Sequence, residues 1–423
     1  VYVPGTEASS EEMKSLAFAI DKAGEGTLEI VSDWLDKEIE MSWMREYVEK
    51  SDCGLTVLQT SGDAVKTILF CEEQFLKGKN VRPQFPGRNV GMMFGLESSL
   101  HPFIGHPSYR EIADLPLSER VKIMKDPAFK EKLLNEKPNF ASEIEKSMNE
   151  QGNTKSQEEI KEAANLGLKL ISNYDTQFIL GDPPNYEPGK EDSIAALAKS
   201  KGIAELEVIY DEFLKNEGTN LVYACFTPYD NHKLDFVERA YSLKSSVAGG
   251  SDGGAHCGLI CDASMPTTNL SHWARDREAG KKIPIELIVR KQTKDTAETY
   301  GLFDRGEIKT GMLADLNIID FEKLNVTHPK MVYDLPLGGR RLIQTSSGYL
   351  ATVKSGEVVY EAGEATGVLP GKLIRGKQTC EVKTEKERVP FIDRTLRLMS
   401  VKAFKLLWNF RKSSVKTTVV SDD

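Results

Sequence analysis

Residues 247–262 read VAGGSDGGAHCGLICD, and this stretch decides how the chain is built. A short apolar run meets Gly249-Gly250, then Ser251-Asp252, then two more glycines and Ala255-His256. The run supplies a buried strand end, and the glycines let the backbone turn sharply and leave room beside it. Asp252 and His256 then stand on the loop leaving the strand. In a parallel α/β barrel the reactive groups come from the C-terminal ends of the strands. The competing reading is a glycine-rich turn in which Asp252 caps the next segment.

Upstream, the chain alternates helix and strand. Residues 9–12 (SSEE) have the form of a helix start, with Ser as cap and acids in the first turn. Met13, Leu16, Ala17 and Ile20 then recur at helical spacing. Residues 27–31, 55–58 and 81–85 read as strands, and helices are expected over 37–50 and 64–77. Repeated strand–helix–strand units imply a parallel sheet or barrel with right-handed crossovers. The middle is less regular: a charged helical stretch at 115–146, a polar connector at 150–157, apolar β-like runs at 176–180 and 221–226, and helices near 191–201 and 206–217. With 247–251 this makes six candidate barrel strands. A closed eight-stranded barrel needs two more. The chain also opens at Val1, in a stretch that reads like the middle of a loop, so a missing beginning is expected.

After residues 271–277 (SHWARDR) and a helix expected at 284–300, the pattern changes. Residues 314–319, 348–353 and 357–360 are short and β-rich, with turns at Gly311-Met312 and Ser355-Gly356, as in a small appended β-domain. Residues 377–423 read as an appendage. Within it, Arg394, Arg397, Lys402, Lys405, Arg411 and Lys412 interleave with Leu396, Phe404, Leu406, Leu407, Trp408 and Phe410. A basic amphipathic helix over 394–412 could touch a membrane surface weakly or dock on its own protein.

Composition bounds the function. The chain has 423 residues, 40% of them hydrophobic and 28% charged, which fits a soluble globular protein with more than one domain. A net charge of -9 argues against a general nucleic-acid binder. No transmembrane run or signal peptide is visible. The six cysteines form no CxxC pair, so a reducing, cytoplasmic setting is expected rather than a disulfide framework. Cys257 and Cys261 beside His256 could serve a metal, but they lack a second ligand pair.

Several separated motifs agree with one another: GGSDGGAHCGLICDAS (249–264), HWARDR (272–277), DRGEIKTGMLADLNIIDFEKL (304–324), LPLGGRRLIQTSSGY (335–349) and TGVLPGKLIRG (366–376). VPGTEASSEE (3–12) and LHPFIGHPSYREIADLPLSERV (100–121) join them upstream. Together, over residues 1–376, the chain resembles the amidohydrolase superfamily, in the branch of N-acyl-D-amino-acid deacylases. The resemblance implies an α/β fold: a (β/α)8 metallo-dependent hydrolase barrel, its second half present, with an appended small β-sandwich. Residues 1–302 would be the C-terminal portion of the barrel with a long insertion, 303–376 part of the sandwich, and 377–423 the tail. Residues 27–33 would be barrel strand 5, 55–59 strand 6 and 247–252 strand 8. Some β-like runs between 81 and 226 would then belong to the insertion.

The resemblance also implies chemistry. Zinc, or another divalent metal, lowers the pKa of bound water to about 7 and polarises the scissile carbonyl. The strand-8 aspartate, matched by Asp252, takes the water's proton and passes it to the leaving nitrogen. Asp252 would also touch the metal, with the other ligands before Val1 and Asp33 as a further candidate. The implied partner is a small N-acylated substrate. His256 could contact it or orient Asp252, and Arg275 and Arg277 could hold its carboxylate; a surface salt bridge or a loop-packing histidine are the alternatives. The chain departs from the pattern in having no HxH among its six histidines. It also carries Asp33 and Gln59 where deacylases place metal-binding histidines. A catalytically inactive barrel kept for binding, and an amidohydrolase of cyclic amides or carbamates, therefore stay open beside linear-amide hydrolysis.

Overall fold

The computed structural model describes residues 8–32, 34, 36–59, 65–140, 165, 167–251, 253 and 256–379. Seven strands fall before residue 250: β1 (Thr27–Ile30), β2 (Gly54–Leu58), β3 (Val81–Pro86), β4 (Val90–Phe94), β5 (Gln177–Ile179), β6 (Val222–Thr227) and β7 (Val247–Gly249). They divide into two sheets. One is parallel, in the order β1-β2-β3-β7, with register Ile30↔Val57, Leu55↔Val81 and Phe85↔Ala248. The other is antiparallel, in the order β4-β6-β5.

This partition corrects the six-strand expectation. Residues 176–180 and 221–226 do form strands, but they pair antiparallel with each other, for example Phe178↔Tyr223. The 81–85 run is the third strand of the parallel sheet. The chain between β3 and β7 builds its own core on the antiparallel sheet, including Phe94, Phe103, Val121, Tyr210, Phe213 and Val222. A segment with its own core has no need to share the strand direction of the parallel sheet.

The parallel sheet is covered on one face. Ile30, Leu55, Val57 and Val81 pack against Met41, Met44, Tyr47 and Val48 of α2 (Lys37–Lys50) and Phe70 and Cys71 of α3 (Val65–Leu76). Period-2 alternation sends Glu29, Thr56 and Gln84 to the opposite face. There the Gln84 amide donates to the Thr56 hydroxyl at 2.9 Å and the Tyr300 hydroxyl donates to Glu29 at 3.4 Å. Helix α1 (Ser10–Ala23) starts as its sequence predicts. The Ser9 hydroxyl accepts from the Glu12 N–H, and Gly24, at φ +83°, closes the far end.

Two expected helices are interrupted. The described part of the 115–146 stretch, up to residue 140, holds Leu117–Met124 and Pro127–Asn135, because Asp126 caps a new helix whose first residue is proline; residues 141–146 lie outside the described residues. The 284–300 stretch is Ile285–Gln292 and Lys294–Thr299, broken at Thr293 with φ −121° and ψ −84°. The SHWARDR segment is itself helical and widened, its last turn closed by a bond from the Arg277 N–H to the His272 carbonyl.

After Leu302 the chain is β-rich. Leu316–Ile319, Tyr349–Lys354, Glu357–Glu361 and Glu364–Ala365 form a four-stranded antiparallel sheet, and Lys330–Leu335 pairs with Gly339–Ile343. Leu324, Val326 and Leu342 from this region share one apolar core with Phe85, Tyr241, Trp273 and Ile288. Near the described end, Gln378 pairs with Gly301 and Phe303 through two backbone hydrogen bonds of 2.8 and 2.9 Å. Segments 150–157 and 394–412 lie outside the described residues. No helix among those described is long and apolar enough to cross a membrane.

Candidate functional site

The C-terminal edge of the parallel sheet is where the sequence places its chemistry. At this edge β3 runs into Gly87-Arg88-Asn89, β2 into Gln59, and β7 into Gly250-Ser251. Two glycines are required here. A Cβ on Gly249 would stand 2.5 Å from the Gln84 Oε1, and Gly250 has φ +76° with Pro86 beside it. The strand therefore ends packed closely against β3, and the chain leaves the sheet at that point. Asp252 follows Gly249 by three residues; Asp252 and Asp33 themselves lie outside the described residues.

The segment beyond is held from several sides. His256 is in the left-handed region at φ +49°, and its carbonyl accepts from the Leu259 and Ile260 N–H groups at 2.8 and 2.9 Å. Its ring is exposed. The Leu342 N–H donates to the Cys257 carbonyl at 2.7 Å, and the Met93 N–H to the Leu259 carbonyl at 2.8 Å. Asp262 is buried and pairs with Arg88 at 3.0 Å.

Arg88 centres a buried polar network. Its guanidinium also donates to the Cys261 carbonyl at 3.0 Å and the Tyr223 hydroxyl at 3.3 Å, and it stacks 3.7 Å from the Tyr186 ring centre. Tyr223 donates to the Asn89 carbonyl, and the Asn89 amide to the Tyr186 carbonyl, each at 2.8 Å. Gln344, from the β-rich region, donates to the Tyr186 hydroxyl at 2.9 Å and to the Thr327 carbonyl at 2.7 Å, and accepts from Ser264. Burial pushes the Cys261 thiol up to about 11, so it stays protonated at neutral pH.

The two arginines of SHWARDR are engaged within the protein. Arg275 makes a fork to Asp276 at 2.6 and 2.7 Å and donates to the carbonyls of Phe321 and Leu324, tying its helix to the β-rich region. Arg277 is fully buried. It donates from Nε and Nη2 to Glu187 at 3.0 Å each, and from Nη1 to Glu238 at 2.6 Å and the Lys281 carbonyl at 2.9 Å. His272 Nε2 stands 2.8 Å from the same Glu187 carboxylate. Burial disfavours the Glu187 carboxylate, but its bonds to His272 and Arg277 outweigh that and hold its pKa below the ordinary value. The Arg277 pair is thus a buried centre, and not the surface salt bridge that the sequence left open beside a substrate contact. A substrate carboxylate would have to displace Glu187 to reach it.

Gln59 is buried, and neither atom of its amide has a hydrogen-bond partner among the described residues. An amide is a poor zinc donor. Among the described residues no group of three or more His, Cys, Asp or Glu could hold a metal ion. Cys257 Sγ lies 3.7 Å from the Arg340 carbonyl, and His101 and His106 are buried in the insertion, facing aromatic rings. The described residues therefore do not supply a zinc donor set. Arg341, on the strand Gly339–Ile343, is paired with Asp334 at 2.8 Å on the surface.

Arg88, Asp262, Glu187 and Gln344 were not singled out from sequence. Arg88 carried a usable signal, as the G-R-N that directly ends a strand. Asp262 closes the quoted stretch. Glu187 sits in a polar loop with no pattern to mark it.

Residues 185–360 match the model of the amidohydrolase family. No curated protein matches the chain. Among solved structures, the chain is similar to the crystal structure of a D-aminoacylase described as defining a novel subset of amidohydrolases. The TM-score is 0.42 at 15% identity, covering 87% of this chain and 59% of that one. The chain thus spans under two thirds of that structure's length.

Proposed function

We propose that this chain, whose residues 185–360 match the model of the amidohydrolase family, hydrolyses a linear amide in a small N-acylated amino acid. The observation that carries this reading is β7. It is a parallel strand at the edge of the described sheet, ending in glycines packed against β3, with Asp252 three residues beyond its end. Strand-end carboxylates of this kind act as acid–base groups in parallel α/β enzymes. Asp252 takes a proton from the attacking water as its oxygen bonds to the acyl carbon. It then delivers that proton to the nitrogen as the C–N bond breaks, giving a carboxylic acid and a free amine.

Amidohydrolases generally use a divalent metal, which when bound supplies a polarised carbonyl and an acidified water. Because the described donor set does not fit zinc, no step is routed through a metal here. The proposed arrangement is the second half of a (β/α)8 barrel with the β-rich region as part of a sandwich. Among the described residues β1 and β7 have no outer partner strand, and this and the polar face of Glu29, Thr56 and Gln84 support it. Free thiols at Cys53, Cys71, Cys225, Cys257 and Cys261 support a cytoplasmic setting.

A second reading, a barrel kept for binding without catalysis, is favoured by Gln59 in a position where deacylases place a ligand. One experiment separates the two. The full chain is assayed against N-acetyl D- and L-amino acids, with its metal content measured by elemental analysis. Amine release above background supports hydrolysis. A folded chain with no turnover on any member and no bound metal supports the binding reading.

A further inference from the structure

Arg88 carries more than the fold requires of it. It follows β3 by two residues and is fully buried, so its charge is removed from water. A buried ion pair of this kind adds little net stability over well-packed apolar residues, because desolvation offsets the attraction. What it does add is direction, since the guanidinium is a planar fork whose donors have fixed geometry. Both nitrogens of the fork are committed. One nitrogen donates to the Cys261 carbonyl and forms an ion pair with the Asp262 carboxylate, and the other donates to the Tyr223 hydroxyl. Cys261 and Asp262 are the far end of the segment that leaves β7.

The near end of that segment is also fixed. Gly249 is in register with Pro86, two residues before Arg88 on the same strand. One short stretch of β3 therefore holds residue 249 through the sheet and residues 261–262 through the guanidinium. The chain between them, with Asp252 and His256, spans two points set by a single rigid element. Tyr186 underlies the guanidinium at 3.7 Å and reaches Gln344, which in turn accepts from Ser264. A second tether from the β-rich region thus meets the first. Neither Arg88 nor Asp262 reaches the reacting atoms in the proposed mechanism.

We propose that Arg88 is a positioning residue that sets residues 256–262, the described part of the segment that follows Asp252 in sequence, by clamping Cys261 and Asp262 to the end of β3. The inference rests on the reading of Asp252 as the acid–base group. The clamp itself does not, and the test keeps the two apart.

Arg88→Met and Asp262→Asn are made in the full chain and compared with the parent by hydrogen exchange and by kinetics. The expected result is exchange in residues 250–262 faster by at least tenfold, with the helix Lys37–Lys50 unchanged. On active protein, kcat should fall at least tenfold while KM stays within threefold. A uniform acceleration across the molecule, unchanged exchange in 250–262, or failure of both variants to fold would overturn the clamp. If the parent hydrolyses no N-acyl amino acid, the enzymatic reading falls, and the exchange result still decides whether Arg88 holds the segment.

Discussion

Replacing Arg277 by Met tests whether the SHWARDR arginine is a structural centre or a substrate clamp. The guanidinium is inaccessible to solvent and faces two carboxylates, Glu187 at 3.0 Å and Glu238 at 2.6 Å. Methionine fills much of the volume but leaves Glu187 buried with the His272 ring as its remaining side-chain partner. Removing one member of a buried pair costs about 3–5 kcal/mol, because the other charge is left uncompensated. Set against a total stability of about 5–15 kcal/mol, that is a large share. The sign with pH follows from Glu187, whose folded pKa its partners hold below the ordinary carboxylate value. Its contribution is present above that value and is lost as pH falls through the folded pKa. The Arg277→Met deficit should therefore be complete at pH 7 and shrink in strong acid. Urea unfolding at pH 7 measures it, and Glu187→Gln with the double variant completes a cycle in which the two losses are far from additive. A variant as stable as the parent, with substrate KM raised instead, would refute the reasoning and return Arg277 to the substrate.

Further perturbations follow from the same geometry. His101 is buried, its Nδ1 accepts from the Phe103 N–H at 3.2 Å, and burial lowers its pKa from 6.5 to about 3. Its neutral form is held in the folded state, so stability falls as pH drops below 6.5; between pH 7 and 5 this group alone costs about 2 kcal/mol. His101→Asn, which keeps an acceptor without titrating there, should flatten the pH dependence of unfolding by that amount, and an unchanged slope would contradict it. Gly87→Ala should destabilise by about 1–3 kcal/mol, because the new Cβ would stand 1.7 Å from the Asn269 Oδ1. Thermal unfolding reads it, and a neutral result would mean that Asn269 has room to turn away.

Much of the scaffold was legible in local pattern. The Ser9 cap, the Lys37–Lys50 helix and the three β-rich runs after residue 314 appear where capping residues and periodicity place them. The partition of strands between two sheets was not, because an apolar run such as 221–226 has the same composition in either. Only pairing direction separates the two, and that is set by the core of the insertion. The breaks at Asp126-Pro127 and Thr293 show the same limit, since helical periodicity runs through both. At the site, the glycines of 249–250 were legible as a tight strand end, and the packing of Gln84 and Pro86 supplies the cause. The partners of Arg88 and Arg277 were not legible. Glu187 lies 90 residues from Arg277 in the chain, and Asp262 belongs to a different segment from Arg88. Buried ion pairs across such separations leave no local signature.

The central claim is that Asp252, beyond the end of β7, moves the proton in hydrolysis of an N-acyl bond. Its most direct test is the turnover number of Asp252→Asn on the best substrate of the parent, with folding checked by unfolding midpoint. Loss of an acid–base group predicts a fall in kcat of about 10²–10⁴-fold at unchanged stability. A folded Asp252→Asn protein that turns over as fast as the parent would contradict the account.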